Sequence, residues 1–390
     1  MKNFCPLPWT SVEVNAMGKI KPCCLSTEPI IDRGTAATIS THTMKEALNS
    51  PYMDSLRQEF LNDQRPERCR LCWEVEKSGD WSKRMHAVKA FNDVEPTTSS
   101  PLPLSFLDLK LGNICNIKCR ICGPHSSSSW AEEAWRMNKD HKFFKVVSEN
   151  GRWPREATDF WEEIVEVLPS ITRLEITGGE PFLIEEQFAV LEKAVELGYS
   201  KNIDIHYNTN GTIYPERALT EIWPHFKSVE IAFSIDDIGA RFEYERFPAK
   251  WAEVQDNITR INRLRLSNLW LKTQICCTVN KQNIYYLPEV TDFILAQRLS
   301  SWHYNLLHQE RMFSIATLAP AAKSDINARV ANRMSGHSIF QDRVVPILNF
   351  MNEPSDNLDA AFLFRIEQHD RYRKQSFAGT FPELHAIITQ

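Results

Sequence analysis

Between residue 104 and about residue 310 the chain alternates short apolar, β-branched runs with longer stretches in which apolar side chains recur every three or four positions. The runs are SFLDLKLGN, with Phe106, Leu107, Leu109 and Leu111, then ITRLEIT at 171–177, NIDIHY at 202–207, SVEIAFS at 228–234, LWLKTQICCTV at 269–279 and SWHYNLL at 301–307. Six strands separated by helical stretches predict an α/β fold, a parallel sheet whose crossovers are helices. Such sheets bind ligands beyond the carboxyl ends of their strands, so the residues that follow each run are the ones to inspect for chemistry. From about residue 311 the pattern turns helical, with helices expected near 319–333, 342–352 and 357–372. Residues 1 to about 95 form a cysteine-rich region that ends in EPTTSSPLP, whose prolines and serines favour an extended connection. The polar segment 138–156 reads as a turn-rich surface insertion, with a substrate lid as the alternative.

The chemistry follows the runs. The first leads into Cys115-Asn-Ile-Lys-Cys119-Arg-Ile-Cys122. Three thiolates so placed hold three irons of a [4Fe-4S] cube and leave the fourth open, whereas closed electron-transfer clusters take four cysteines. The second run ends in Gly178-Gly179-Glu180-Pro181. A glycine pair lets backbone approach a ligand without Cβ clashes, and a carboxylate beside it can pair with an ammonium group. Asn208-Thr209-Asn210-Gly211-Thr212 follows the third run and Ser234-Ile235-Asp236 ends the fourth. Both put small polar side chains at strand ends, and simple turns with local hydrogen bonds are the structural alternative.

In these motifs and their order the chain resembles the radical S-adenosylmethionine (radical SAM) superfamily. The resemblance implies a (β/α)6 partial TIM barrel and a site-differentiated [4Fe-4S] cluster on Cys115, Cys119 and Cys122. It also implies that Gly178, Gly179, Glu180 and Pro181 receive the methionine amino group of SAM, and that Asn208, Asn210, Ser234 and Asp236 surround its ribose and carboxylate. Arg246, in FEYERFPAKW, resembles an arginine that reaches the SAM carboxylate; a surface ion pair with Glu243 or Glu245 is the alternative. Ile121, where the family usually has an aromatic residue, is expected on the adenine face. The implied reaction is reductive cleavage of SAM to methionine and a 5′-deoxyadenosyl radical that abstracts a substrate hydrogen, while the protein excludes water and aims one C–H bond. Cys276 and Cys277, inside the fifth run, read as small buried apolar residues, or one of them as a hydrogen donor to a substrate radical.

At the amino terminus Cys5 is followed by twelve residues, Gly18, four residues and Cys23, with Cys24 next and Cys69-Arg-Leu-Cys72 beyond. Two chelating pairs joined by a turn bind zinc as readily as iron and sulfur. The spacing resembles the opening of the auxiliary-cluster domains called SPASM and twitch, which in most relatives follow the barrel rather than precede it. A second [4Fe-4S] cluster of the twitch kind is implied on Cys5, Cys23, Cys69 and Cys72, with Cys24 a spare or a competitor of Cys23. The expected division is an auxiliary module at 1–95, the partial barrel at 104–310 and a helical extension at 311–390. The tail DRYRKQSFAGTFPEL at 370–384 resembles that of twitch-type proteins and is expected to pack Phe377, Phe381 and Leu384 against the barrel.

Composition narrows the setting. A chain of 390 residues with 43% hydrophobic content can bury a substantial core. No apolar run approaches the ~20 residues of a membrane span, and MKNFCPLPWT lacks the build of a signal peptide, so a cytoplasmic location is expected. There clustered cysteines bind metal rather than pair. The net charge of -5 gives no electrostatic footprint for nucleic acid, and Arg260, Arg263 and Arg265 read as a solvated helix face. The partners implied are a reductase, flavodoxin or ferredoxin as electron donor and a peptide or small-molecule substrate, with no membrane. Oxidative modification of a peptide is the implied reaction. Oxidation or epimerisation of a sugar, nucleoside or other small molecule is the alternative, and RNA modification or a non-catalytic electron carrier the third.

Overall fold

The computed structural model describes residues 2–77, 79, 81–98, 101–138, 141–307 and 310–390. Its strands are β1 Ser11–Val14, β2 Ile20–Lys21, β3 Ile31–Asp32, β4 Thr35–Ala36, β5 Phe106–Leu111, β6 Arg173–Gly178, β7 Asp204–Thr209, β8 Ser228–Ser234, β9 Leu271–Val279 and β10 Ser301–Leu306. One sheet runs in the order β10-β9-β8-β7-β6-β5-β1-β2. Strands β5 to β10 are the six expected runs, side by side in chain order and all parallel. The result is a mostly parallel, open α/β sheet with β2 and β10 at its two edges.

Period-two alternation gives this sheet two unlike faces. Ile205, Tyr207, Val229, Ile231, Phe233, Ile275, Cys277 and Val279 are buried on the apolar face. The helix Trp251–Arg265 shows why crossovers cover it: Val254, Ile258 and Ile261, spaced four and three apart, are buried, while Arg260 and Arg263 are exposed. The other face carries Asp108, Lys110, Glu175, His206, Glu230, Gln274, Cys276 and His303, a polar surface along the middle of the strands.

The amino-terminal region extends this sheet. β1 pairs in parallel with β5, placing Glu13 beside Asp108, and β2 returns antiparallel to β1. After β10 come the helices Pro320–Met334, Val345–Met351 and Asp359–Arg373, close to the expected positions, then Phe377–Thr380 and Pro382–Ile388. Phe377, Phe381 and Leu384 are buried, with Phe381 edge-on to Tyr244 at 5.2 Å. Asp370 accepts from Arg120 Nη2 at 2.6 Å and Tyr244 Oη at 2.7 Å, which fastens the tail to the cysteine loop.

The segment 138–156 departs from its expected turn-rich character. It contains the helix His141–Asn150 and a buried Trp153, and Asn113 donates its backbone N–H to Gly151 O at 3.0 Å and Nδ2 to Val147 O at 3.2 Å. Apolar residues at helical spacing dock it as a buttress of the cysteine loop. Residues 139 and 140 of this segment, and 99 and 100 of the linker, lie outside the described residues. No helix among the described residues is long and apolar enough to cross a membrane.

Candidate active site at the carboxyl ends of the strands

The cysteine loop is held from both sides. Lys118 and Arg120 donate their N–H groups to Phe247 O at 2.7 Å and Glu245 O at 2.8 Å, while Ser129 Oγ donates to Cys115 O at 2.7 Å and Trp130 Nε1 to Cys119 O at 3.1 Å. With its backbone groups so engaged, the loop is shaped by protein alone. Cys115 and Cys119 are buried and Cys122 is exposed. Asn210 Nδ2 lies 3.8 Å from Cys115 Sγ, and Arg246 Nη1 lies 3.8 Å from Cys119 Sγ. Burial pushes the Cys115 thiol up to about 12. A hydrogen bond from Cys122 and the nearby Arg246 draw Cys119 below the usual thiol range against the effect of burial, making it the readiest thiolate of the three.

The glycine pair has a reason within the protein itself. A Cβ on Gly178, whose φ is +126°, would sit 2.5 Å from Leu111 N, and one on Gly179 would sit 2.2 Å from Ile114 O. The close approach is to the root of the cysteine loop, where Gly179 N donates to Gly112 O at 3.1 Å and Glu180 N to Ile114 O at 2.8 Å. The Glu180 carboxylate is fully buried and turned to protein donors: Thr209 Oγ1 at 2.8 Å, Phe182 N at 3.2 Å and Asn210 N at 2.8 Å. It brackets the ends of β6 and β7, and burial pushes its pKa up to about 7. Pro181, also buried, begins the turn that follows.

Asn208 lies half-buried near the end of β7, and Ser234 ends β8 in register with Cys276. Asp236 is buried; its Oδ1 accepts Thr278 N at 2.9 Å and its Oδ2 accepts Arg246 Nη2 at 2.7 Å. The surface pairing of Arg246 with Glu243 or Glu245 is thereby replaced by a buried pair with Asp236, and the Arg246 Nε has no partner among the described residues. Ile121 is partly buried and packs against the apolar core.

Cys276 and Cys277 point to opposite faces. Cys277 is fully buried in the apolar core, as the bland reading of the pair has it. Cys276 belongs to the polar face, where Asn305 Nδ2 donates to its sulfur at 2.8 Å and His303 Nε2 lies 3.2 Å away. Burial pushes this thiol up to about 12 and His303 down to about 4, so both are neutral at pH 7. His303 and Asn305 were not singled out from the sequence; the signal was their spacing of two within SWHYNLL, which puts them on one face.

In the amino-terminal region Cys5, Cys23, Cys69 and Cys72 line one cavity, walled by Leu7, Leu25 and Phe60 and bordered by Lys83 and Arg84. Burial raises all four thiols, Cys23 to about 11. Cys24 is not among the lining residues; its charged neighbours are Lys83, Asp108 and Lys110. Lys83 reaches from the cavity to the polar face, where its Nζ pairs with Glu175 and lies 3.3 Å from Asp108 Oδ2. Among the described residues no three Cys, His, Asp or Glu side chains converge as ligands of a single ion. A cube, whose irons each take one thiolate, does not ask that of them, and an all-sulfur donor set in an apolar wall suits it.

Residues 109–294 match the family model of the Radical SAM superfamily, and residues 5–73 match that of SPASM, an iron-sulfur cluster-binding domain. No curated protein matches the chain in sequence. Among solved structures, native anSMEcpe with bound AdoMet and Cp18Cys peptide is 16% identical, covering 62% of this chain and 61% of that one, with a TM-score of 0.38. Streptococcus suis SuiB bound to S-adenosylmethionine is 16% identical over 70% of this chain and 51% of that one, with a TM-score of 0.36. SuiB bound to precursor peptide SuiA is 14% identical over 78% and 65%, with a TM-score of 0.37. The chain thus spans less than two thirds of the length of these proteins.

Proposed function

From the premise that this chain carries a radical SAM domain behind an amino-terminal iron-sulfur cluster-binding domain, we propose that it oxidatively modifies a peptide. The two domains imply a [4Fe-4S] cluster with SAM and an auxiliary iron-sulfur centre. Cys115, Cys119 and Cys122 would hold the first; Cys5, Cys23, Cys69 and Cys72 would hold the second. Bound there, these groups supply a 5′-deoxyadenosyl radical that takes one substrate hydrogen and an acceptor for the electron left behind. Gly178, Gly179, Glu180, Pro181, Asn208, Asn210, Ser234, Asp236, Arg246 and Ile121 would shape the SAM pocket: Glu180 fixes two strand ends, and Arg246 sets a positive charge beside Cys119 and Asp236. A flavodoxin, ferredoxin or reductase would deliver the reducing electron.

The observation that carries this reading is Lys83, which borders the four-cysteine cavity and also pairs with Asp108 and Glu175 on the polar face. It supports a second redox site close to where substrate would lie. Oxidation would then balance: one hydrogen atom would leave to the 5′-deoxyadenosyl radical, one proton to the polar face, and one electron to the centre that Cys5, Cys23, Cys69 and Cys72 would hold. Deuterium transfer into 5′-deoxyadenosine from a labelled peptide, under reduction with dithionite, is the expected result. Transfer from a labelled sugar and none from peptide overturns the choice.

Cys276 favours a second reading, epimerisation. A neutral thiol on the polar face beside Ser234, flanked by His303 and Asn305, can return a hydrogen atom to a substrate radical. The resulting thiyl radical would need one electron from the external donor and one proton. In deuterated water epimerised product would carry deuterium at carbon and would vanish in Cys276→Ala, whereas oxidised product would be two hydrogens lighter and survive.

A further inference from the structure

A groove of about 520 Å³ lies where the sheet is open. One wall begins at Lys21 on β2, and the other is formed by the chain just past β10, the strand at the opposite edge. Lys21, Arg70 and Arg311 line it, with Glu74 the one carboxylate among its described lining residues, and Leu71 and Phe350 give it an apolar floor. Among the described lining residues three cations thus stand against one carboxylate. The cations are loosely held. Arg70 lies 3.7 Å from Glu67 and 3.9 Å from Glu74, and Arg311 lies 3.3 Å from Asp356. Such exposed pairs are worth about 0–1 kcal/mol and re-partner readily.

The groove leads inward. Lys21 Nζ stands 3.8 Å from Glu13 Oε2, and Lys110 Nζ stands 3.1 Å from Glu13 Oε1. Glu13 is fully buried, and these two ammonium groups are its charged partners among the described residues. This buried carboxylate links Lys21 at the groove to Lys110 on the polar face, where Glu13 lies in register with Asp108.

We propose that this groove holds an acidic segment of the peptide substrate, its carboxylates against Lys21, Arg70 and Arg311 and its apolar side chains on Leu71 and Phe350. This rests on the peptide reading and adds the chemistry by which the peptide is recognised. An apolar floor beneath three separated cations fits alternating acidic and apolar side chains; a phosphate backbone asks for a continuous basic track.

The test is fluorescence anisotropy of a fluorescein-labelled peptide, Glu-Leu-Glu-Glu-Phe-Glu, with the cluster-loaded full chain. The double variant Arg70→Glu, Arg311→Glu should bind about tenfold more weakly or worse, and wild-type binding should weaken with added salt. Equal binding by the variant, no binding by the wild type, or tighter binding of a Lys-containing peptide or a uridine hexanucleotide overturns the proposal. Substrate-free release of 5′-deoxyadenosine, measured in the same proteins, should not change in the variant. If it is absent from the wild type while the charge-dependent binding persists, the radical reading fails and the groove stands.

Discussion

Arg246 donates from Nη2 to Asp236 Oδ2 at 2.7 Å while its Nη1 lies 3.8 Å from the Cys119 sulfur, so one buried guanidinium joins the end of β8 to the cysteine loop. Each partner is less than a tenth exposed. Removing one strands the other as an uncompensated buried charge, which costs about 3–5 kcal/mol. Arg246→Met should lose that much stability in denaturant unfolding and bind SAM poorly. Asp236→Asn, which keeps an acceptor for Thr278 N, should lose less. Equal stability of Arg246→Met and wild type would show that the pair does not form.

Gly179 is predicted to tolerate no side chain. The Cβ of alanine would meet Ile114 O at 2.2 Å, and a backbone carbonyl in the cysteine loop cannot step aside as a flexible side chain can. Gly179→Ala should cost about 1–3 kcal/mol or more by overpacking and displace the loop. Iron per chain should fall from about eight to about four as the core cluster is lost and the auxiliary one remains. Gly123→Ala, next to Cys122 but with nothing within 4 Å of the new Cβ, should keep both.

The strands that frame this site were legible because each run is long enough, and apolar or alternating enough, to declare itself, and the motifs fell at their ends. β1 was not: Ser11–Val14 is four residues, and its pairing with β5 spans the whole auxiliary region. Which of Cys276 and Cys277 could be the hydrogen donor is left open by the sequence reading, although alternation in LWLKTQICCTV already separates Gln274, Cys276 and Thr278 from Ile275, Cys277 and Val279. Of the two readings of Arg246, the surface ion pair is the one that fails. Its glutamate neighbours share its helix, but the residue caps that helix and turns toward Asp236 at the strand ends. Lys83 carried no signal, because its partners Asp108 and Glu175 lie far along the chain.

Cys23 lines the four-cysteine cavity and Cys24 is not among its described lining residues, which favours Cys23 as the ligand. In a background with Cys115, Cys119 and Cys122 replaced by alanine, Cys24→Ser should retain about four irons, and Cys23→Ser or Cys72→Ser should retain few or none. Zinc bound in place of iron, or loss of iron in Cys24→Ser, would contradict the assignment.

Lys83 places a positive charge at the auxiliary cavity and balances two carboxylates. A cation near a cluster favours its reduced, more negative state. Lys83→Met should therefore lower the auxiliary reduction potential, read by an EPR-monitored titration in the same triple-alanine background, while Lys83→Arg should largely preserve it. An unchanged potential in Lys83→Met would mean that the charge is screened from the cluster.

Glu180 gives the site a pH signature. Its pKa is pushed from 4.5 up to about 7, chiefly by burial, against the hydrogen bonds from Asn210, Thr209 and Phe182. Between those values the folded chain keeps a proton that the unfolded chain has released. The contribution to stability is thus fully present below pH 4.5 and is lost as pH rises toward 7. At about 1.4 kcal/mol per pH unit the loss amounts to about 3 kcal/mol. Glu180→Gln has no such proton, so its stability difference from wild type should shift by that amount across the window, the wild type losing ground toward neutrality. Asp237, raised to about 6 by burial, acts in the same direction in both proteins and cancels in the difference. Urea unfolding of the metal-free proteins at pH 5, 6 and 7 makes the comparison. A difference that stays flat would place Glu180 ionised throughout, a buried anion held by its three donors alone.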